Sequence, residues 1–173
     1  AEAGFDVGGP LGSGGTLAYR LTGLWRDGAT QFANSADDRV FIAPALTWAP
    51  DDATSLTILT NWQRDRLSPA VFLPVAGEDY PASLGPLPSG FADRLPDFDH
   101  FDADVGSAGY QFAHDFDDGW SVRQNFRYSR QSTDYAELYF NGMADEATMD
   151  FVAFTVDETA EIFNLDNQVQ KDF

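Results

Sequence analysis

The chain has 173 residues, 43% of them apolar, with 10 Lys and Arg against 28 Asp and Glu for a net charge of −18, and no cysteine. That length suits one domain; the acidity argues against a nucleic-acid partner, which needs a basic surface, and the lack of cysteine excludes a disulfide framework or a thiolate metal site. No uncharged apolar run reaches the roughly 18 residues of a spanning helix and mean hydropathy is −0.30, so a helical membrane protein is excluded, whereas a β-barrel, whose lumen-facing residues dilute its hydropathy, is not.

In chain order, strands are predicted over 2–8, 16–26, 39–49, 55–66, 103–114, 119–131, 148–155 and 160–171, eight in all with no helix between them. The signal is period-two alternation, which marks a sheet with one apolar and one polar surface. Leu17, Tyr19, Leu21, Gly23 and Trp25 alternate with Ala18, Arg20, Thr22 and Arg26. Val40, Ile42, Pro44, Leu46 and Trp48 share a face opposite Phe41, Ala43, Ala45 and Thr47, and Leu56, Ile58, Thr60 and Trp62 oppose Thr57, Leu59, Asn61 and Gln63. Further on, Val122, Gln124, Phe126 and Tyr128 interleave with Ser121, Arg123, Asn125, Arg127 and Ser129. Phe41 and Leu59 break the pattern by standing on the polar side. Parity fixes the side of each residue once one strand is registered, so Leu21, Ile42, Ile58 and Phe126 are expected on an apolar, lipid-facing surface and Arg20, Asn61 and Arg127 on the opposite one.

The connections alternate in length. The odd ones are short: the glycine turn at 11–15, then 50–54, 115–118, and a seventh centred on Asp157-Glu158. The even ones, 27–38, 67–102 and 132–147, are long, and the second carries six of the nine prolines. A loop of that size counts against a compact soluble domain, but short periplasmic turns and long outward loops are the rule in outer-membrane barrels. Trp48 and Trp120 abut short turns while Trp25 and Trp62 lie near long loops, which gives an aromatic girdle at each membrane face. The expected fold class is all-β, with antiparallel hairpins forming part of a transmembrane outer-membrane β-barrel. A small stand-alone eight-strand barrel with a structural or adhesive role and a soluble β-sandwich binding module are the alternatives.

Several stretches carry a family resemblance: 5–11 (FDVGGPL), 39–48 (RVFIAPALTW), 54–57 (TSLT), 72–74 (FLP), 96–99 (PDFD), 120–125 (WSVRQN) and 166–170 (DNQVQ), with Tyr19-Arg20-Leu21, Gly109-Tyr110 and Arg127-Tyr128 between them. In order and spacing the chain resembles TonB-dependent siderophore receptors of the ferrichrome or hydroxamate type. The resemblance implies a barrel of about 22 strands in the outer membrane of a Gram-negative bacterium. A plug domain closes such a barrel, and it imports a ferric siderophore with energy from the TonB complex. Over residues 1–173 it implies a partial barrel of about eight strands, a fragment whose plug domain and C-terminal strands lie outside the chain. The lack of a starting Met and of a signal peptide is read as a mature chain or a fragment.

Enzymatic motifs are absent: there is no nucleophile elbow, no phosphate-binding glycine loop and no H-E-x-x-H, and the histidines are His100 and His114 alone. No catalytic residue and no metal site is expected. The run Asp97, Asp99, Asp102, Asp104 with His100 offers oxygen ligands at alternate positions but lacks the glycine and closing glutamate of a calcium loop, so it reads as a solvated loop leading into a strand. What the resemblance implies for ligand contact is Phe72, at a family Trp position, and Tyr139, at a family Tyr position, both on long outward loops. Two partner aromatics of the family are replaced here by Ala70 and Asn141. Arg20, Arg123, Arg127 and Gln63 are expected on the lumen side, facing the plug or a transport path. The implied partners are a ferric siderophore, outer-membrane lipid and the TonB complex, the last through the plug, with no cofactor.

Overall fold

The structure is a computed structural model that describes residues 1–32, 34–69, 74–88, 90–91 and 95–172. Phe72 and Ala70 lie outside the described residues. Seven strands, β1 (Glu2–Pro10), β2 (Leu17–Arg26), β3 (Asp37–Trp48), β4 (Thr54–Leu67), β5 (His100–Asp115), β6 (Trp120–Met143) and β7 (Met149–Lys171), form a single antiparallel sheet in sequence order. Each strand pairs with its neighbour in the chain, and β1 and β7 form the two edges. Among the described residues there is neither a second layer, which a sandwich needs, nor a β1–β7 pair, which a closed small barrel needs.

The turns follow from local chemistry. Gly12 (φ 80°) and Gly15 (φ 68°) supply the left-handed backbone of the β1–β2 turn, and Gly119 (φ 83°) does so between β5 and β6. Between β3 and β4 the Asp51 carboxylate accepts the Ala53 and Thr54 N–H groups at 3.0 and 2.7 Å, a side chain doing the work of a backbone turn.

Register confirms the parity reading. Tyr19, Leu46, Ile58, Tyr110, Phe126 and Leu165 are successive cross-strand partners along one row, while Arg20, Ala45, Leu59, Gly109, Arg127 and Asn164 form the adjacent row on the other face. Leu21, Ile42, Ile58 and Phe126 share the apolar face, and Arg20, Asn61 and Arg127 the polar one, as expected. Phe41 and Leu59 do project from the polar face. Phe5 sits opposite Gly23, and its ring occupies the space a Cβ there would take, 2.3 Å from the nearest ring carbon; the aromatic covers the glycine and leaves it buried.

A sheet one layer thick buries little. A soluble monomer of 19.0 kDa exposes roughly 8,400 Å², whereas this chain exposes 11206 Å², and among the described residues no side chain is completely buried. Ile58, Leu165 and Phe163 are 46, 62 and 68% exposed. An apolar face this continuous is unsustainable in water but suits hydrocarbon. On β3 it runs from Val40 to Trp48, roughly 26 Å along the strand, and a tilt of about 40° projects that to roughly 20 Å, close to the band of a transmembrane barrel. Past Trp25 and Trp62 the same face turns ionic, with Arg64 to Asp104 at 2.8 Å, Arg66 to Asp102 at 3.2 Å and His100 to Asp134 at 3.2 Å.

Two expectations change. The segment 132–147 is not a loop: β6 continues through it to Met143, and the chain turns at 144–148. Nor is there a turn at Asp157-Glu158, which pair with Asp134 and Thr133 inside a single 23-residue β7, so seven strands stand where eight are predicted. The reason is turn chemistry. Asp157-Glu158 offers no glycine, proline or asparagine, whereas the Asp145 carboxylate accepts the Ala147 and Thr148 N–H groups at 2.8 and 2.9 Å, and Gly142 (φ 127°) relieves a bulge beside Phe140.

Candidate functional site at the lumen face and outward rim

The polar face is lined by cross-strand ion pairs. Arg20 Nε donates to Asp6 at 2.9 Å, Arg123 to Asp115 at 2.8 Å, and Arg39 grips Asp65 with two bonds of 2.6 and 3.0 Å. Asp65 is 6% exposed and also receives Gln63 at 2.8 Å; buried charge persists where it is paired on several sides. Arg127 rises from β6 opposite Gly109, where a Cβ would lie 2.2 Å from the Phe126 carbonyl oxygen, so the missing side chain lets β5 and β6 approach. Around Gly109 the wall is hollowed into a cavity of about 400 Å³ lined by Leu59, Gln111, Asn125, Arg127, Asn164 and Asp166 among others.

At the outward end the long connections fasten to the sheet. Ser68 Oγ accepts the Ala36 N–H at 2.7 Å and the Ser68 N–H returns to the Ala36 carbonyl at 3.0 Å, which ties the two long connections together. Asp99, 8% exposed, accepts the Leu95 N–H at 2.9 Å through one oxygen and the Leu138 N–H at 3.0 Å through the other, pinning the end of the 68–99 connection to β6. Tyr80 is buried and donates its hydroxyl to the Gly85 carbonyl at 2.9 Å. These bonds give the connection internal structure.

Tyr139 stands on β6 opposite Val152, in strand rather than loop. Being two and four residues beyond Glu137 and Tyr135, it shares their face, which is the lumen side by continuity with Arg127. Its hydroxyl lies 2.7 Å from that of Tyr135, which also bonds the Glu137 carboxylate. Phe101 and Phe154 meet Tyr135 edge-on at 5.9 Å, and Phe154 meets Tyr139 at 6.0 Å. Asn141, the other replaced position, donates to Asp150 at 3.2 Å. Tyr135 and Glu137 escaped the sequence reading because the sixth strand was ended at residue 131, and Phe101 because it fell in the connection 67–102, while Phe154 lay in a predicted strand with no partner to mark it. The signal was present, since Thr133, Tyr135, Glu137 and Tyr139 continue the odd-numbered face of Arg127 and Ser129.

The run from Asp97 to Asp104 is less solvated than expected: Asp99 is 8% exposed and held by backbone N–H groups, and Asp102 and Asp104 pair with arginines. Among the described residues no group of three or more His, Cys, Asp and Glu is arranged to hold a metal ion.

No protein-family profile matches the chain. Curated sequences do. It is 32% identical over 168 residues to the Ferrioxamine B receptor of Salmonella typhimurium, covering 96% of this chain and 24% of that one. It is 35% identical over 153 residues to the Ferrichrome outer membrane transporter/phage receptor of Escherichia coli K12, covering 84% and 20%. Over most of its length this chain matches a segment of these siderophore receptors. Such a segment resides in the outer membrane of a Gram-negative bacterium, and this one spans about a quarter of the length of the curated relatives it matches. Among solved structures, the ferric-catecholate import receptor Fiu of E. coli K12 superposes with a TM-score of 0.82 at 21% identity over 99% of this chain and 29% of that one. FpvA of P. aeruginosa bound to pyoverdines does so with 0.84 at 14%, covering 99% and 23%. At those identities the likeness is one of fold.

Proposed function

We propose that the protein carrying this segment binds a ferric siderophore in the lumen above a plug domain and imports it across the outer membrane with energy from the TonB complex, without catalysis. Phe72 and Tyr139 take part in ligand contact. The observation that carries this reading is kinship of 32–35% with ferrioxamine and ferrichrome receptors across most of the chain. The aromatic and hydroxyl side chains gathered on the lumen side around Tyr139 support it, because a bulky chelate is held by apolar walls with a few placed polar groups.

The test is titration of the full-length receptor with ferric trihydroxamates, followed by tryptophan fluorescence. A buried aromatic contact is worth roughly 1–3 kcal/mol, so Phe72→Ala and Tyr139→Ala should each weaken binding about tenfold or more with normal surface expression. Unchanged affinity in both variants overturns these two contacts. Absence of ferric-chelate binding by the native receptor overturns the functional reading.

A further inference from the structure

His100 opens β5 at the outward end, beyond the Gly106 that pairs with Trp62, and so stands roughly 20 Å above the tryptophan level along the strand, outside the lipid. Both of its ring nitrogens face acceptors. Nδ1 lies 2.7 Å from the Phe98 carbonyl oxygen and Nε2 lies 3.2 Å from the Asp134 carboxylate. A carbonyl oxygen has nothing to donate, so Nδ1 carries a hydrogen. Asp134 is 69% exposed, and a carboxylate that water reaches is ionised at neutral pH, so Nε2 needs a hydrogen as well. Only the imidazolium supplies both. With one hydrogen left, the ring must give up one of the two bonds.

Register supplies a second reason for positive charge here. Asp102, Asp134 and Asp157 stand directly opposite one another on β5, β6 and β7, and like charges so placed push strands apart. On the β4 side Arg66 answers Asp102 at 3.2 Å, while the cation set against Asp134 among the described residues is His100. The connection leading into β5 brings Asp97 and Asp99, the latter taken up by the Leu95 and Leu138 N–H groups. The bond to Asp134 above all, with the Phe98 carbonyl and the charges of Asp134 and Asp102, holds the imidazole above its ordinary value of 6.5 against partial desolvation.

Phe98 belongs to the last turn of the 68–99 connection, in which the Phe98 and Asp99 N–H groups both bond the Leu95 carbonyl. We propose that His100 is a proton-operated latch at the outward rim, which when protonated fastens this turn to β6 and when neutral releases one side, so that the end of the connection loosens as pH rises. Because the folded value lies above the ordinary one, the hold is complete below 6.5 and is lost as pH climbs through the higher value. Asp99 still reaches Leu138 in either state, so the release loosens the turn without freeing it.

The experiment is hydrogen exchange by mass spectrometry on the full-length receptor, reading the Phe98 and Asp99 amides with the intrinsic base-catalysed rate divided out. Between about pH 5.5 and about pH 9, protection there should fall about two- to fivefold, the range of a partly exposed ion pair. His100→Gln and Asp134→Asn should each bring the ratio of acid to alkaline protection to one. His100→Arg, charged at both values, should keep the acid-form protection throughout. A merely structural role would lower protection in the Gln and Asn variants at both pH values and leave the native ratio in place. A native ratio of one, a native ratio retained by either the Gln or the Asn variant, or an alkaline loss of protection in His100→Arg overturns the inference.

Discussion

Ile58 and Asn61 lie three residues apart on β4 and face opposite media, so arginine at each position separates the lipid surface from the lumen. Ile58 is opposed by Leu46 and Tyr110 and flanked along its row by Tyr19, Phe126 and Leu165, with 46% of its surface exposed. Between the Trp62 level and the Trp48 level, the latter paired with Leu56, it sits one residue from the middle of the apolar band, roughly 3 Å along the strand. A charge near the midplane of a transmembrane barrel costs about 2–4 kcal/mol, so Ile58→Arg should lower folding stability by about that amount. Asn61 bonds Ser107 at 2.8 Å on the polar face, and Asn61→Arg gives up one hydrogen bond of about 1 kcal/mol while its charge remains hydrated. Guanidinium titration of the full-length receptor refolded into phosphatidylcholine vesicles, followed by tryptophan fluorescence, reads both. Equal losses, or a larger loss for Asn61→Arg, would refute the assignment of faces.

Three further outcomes are expected. Gly109→Ala places a methyl group where the Phe126 carbonyl stands 2.2 Å away, forcing β5 from β6, so heat-modifiable, folded receptor should fall sharply, while Gly9→Ala, with nothing within 4 Å of the added carbon, should leave it unchanged. Asp99→Ala leaves the Leu95 and Leu138 N–H groups without their carboxylate, a loss of roughly 1.5–3 kcal/mol for bonds to a charged group, and should make the 68–99 connection cleave faster in limited proteolysis. The backbone bond from Ala147, with the side-chain and backbone bonds from Thr148, holds the Asp145 carboxyl below its ordinary value of 3.8; its contribution to the hairpin tip is complete above that value and lost as pH falls through the lower one. Amide exchange at Ala147 and Thr148 should therefore accelerate, relative to neighbouring strand amides, only once the pH falls below the ordinary carboxylate value, and acceleration that sets in above that value would count against the turn.

The strands and their faces were readable because a sheet between two media writes its environment into alternate residues: Val40 to Trp48 declares both period and side without any knowledge of partners. The lumen cluster was not readable in the same way. Once β6 leaves the apolar band, both faces meet polar surroundings, so the alternation past residue 131 no longer sorts by hydropathy and Tyr135, Glu137 and Tyr139 look like loop. The acidic pair Asp157-Glu158 resembled a turn for the same reason, being polar where lipid no longer demands otherwise.

By itself the sequence determined the all-β class, the antiparallel hairpin order, the lipid-facing parity and the two tryptophan levels, since each depends on side-chain type at fixed spacing. Tertiary structure decided which residues face one another across strands. Pairing with β7 keeps β6 in strand as far as Met143, Asp99 reaches Leu138 across 39 positions of sequence, and Glu137 meets Tyr135 and Tyr139 only because an extended backbone puts every second side chain on one side. Hydropathy reports the medium a residue faces; hydrogen-bond partners are set by register, which is a property of two strands and not of one.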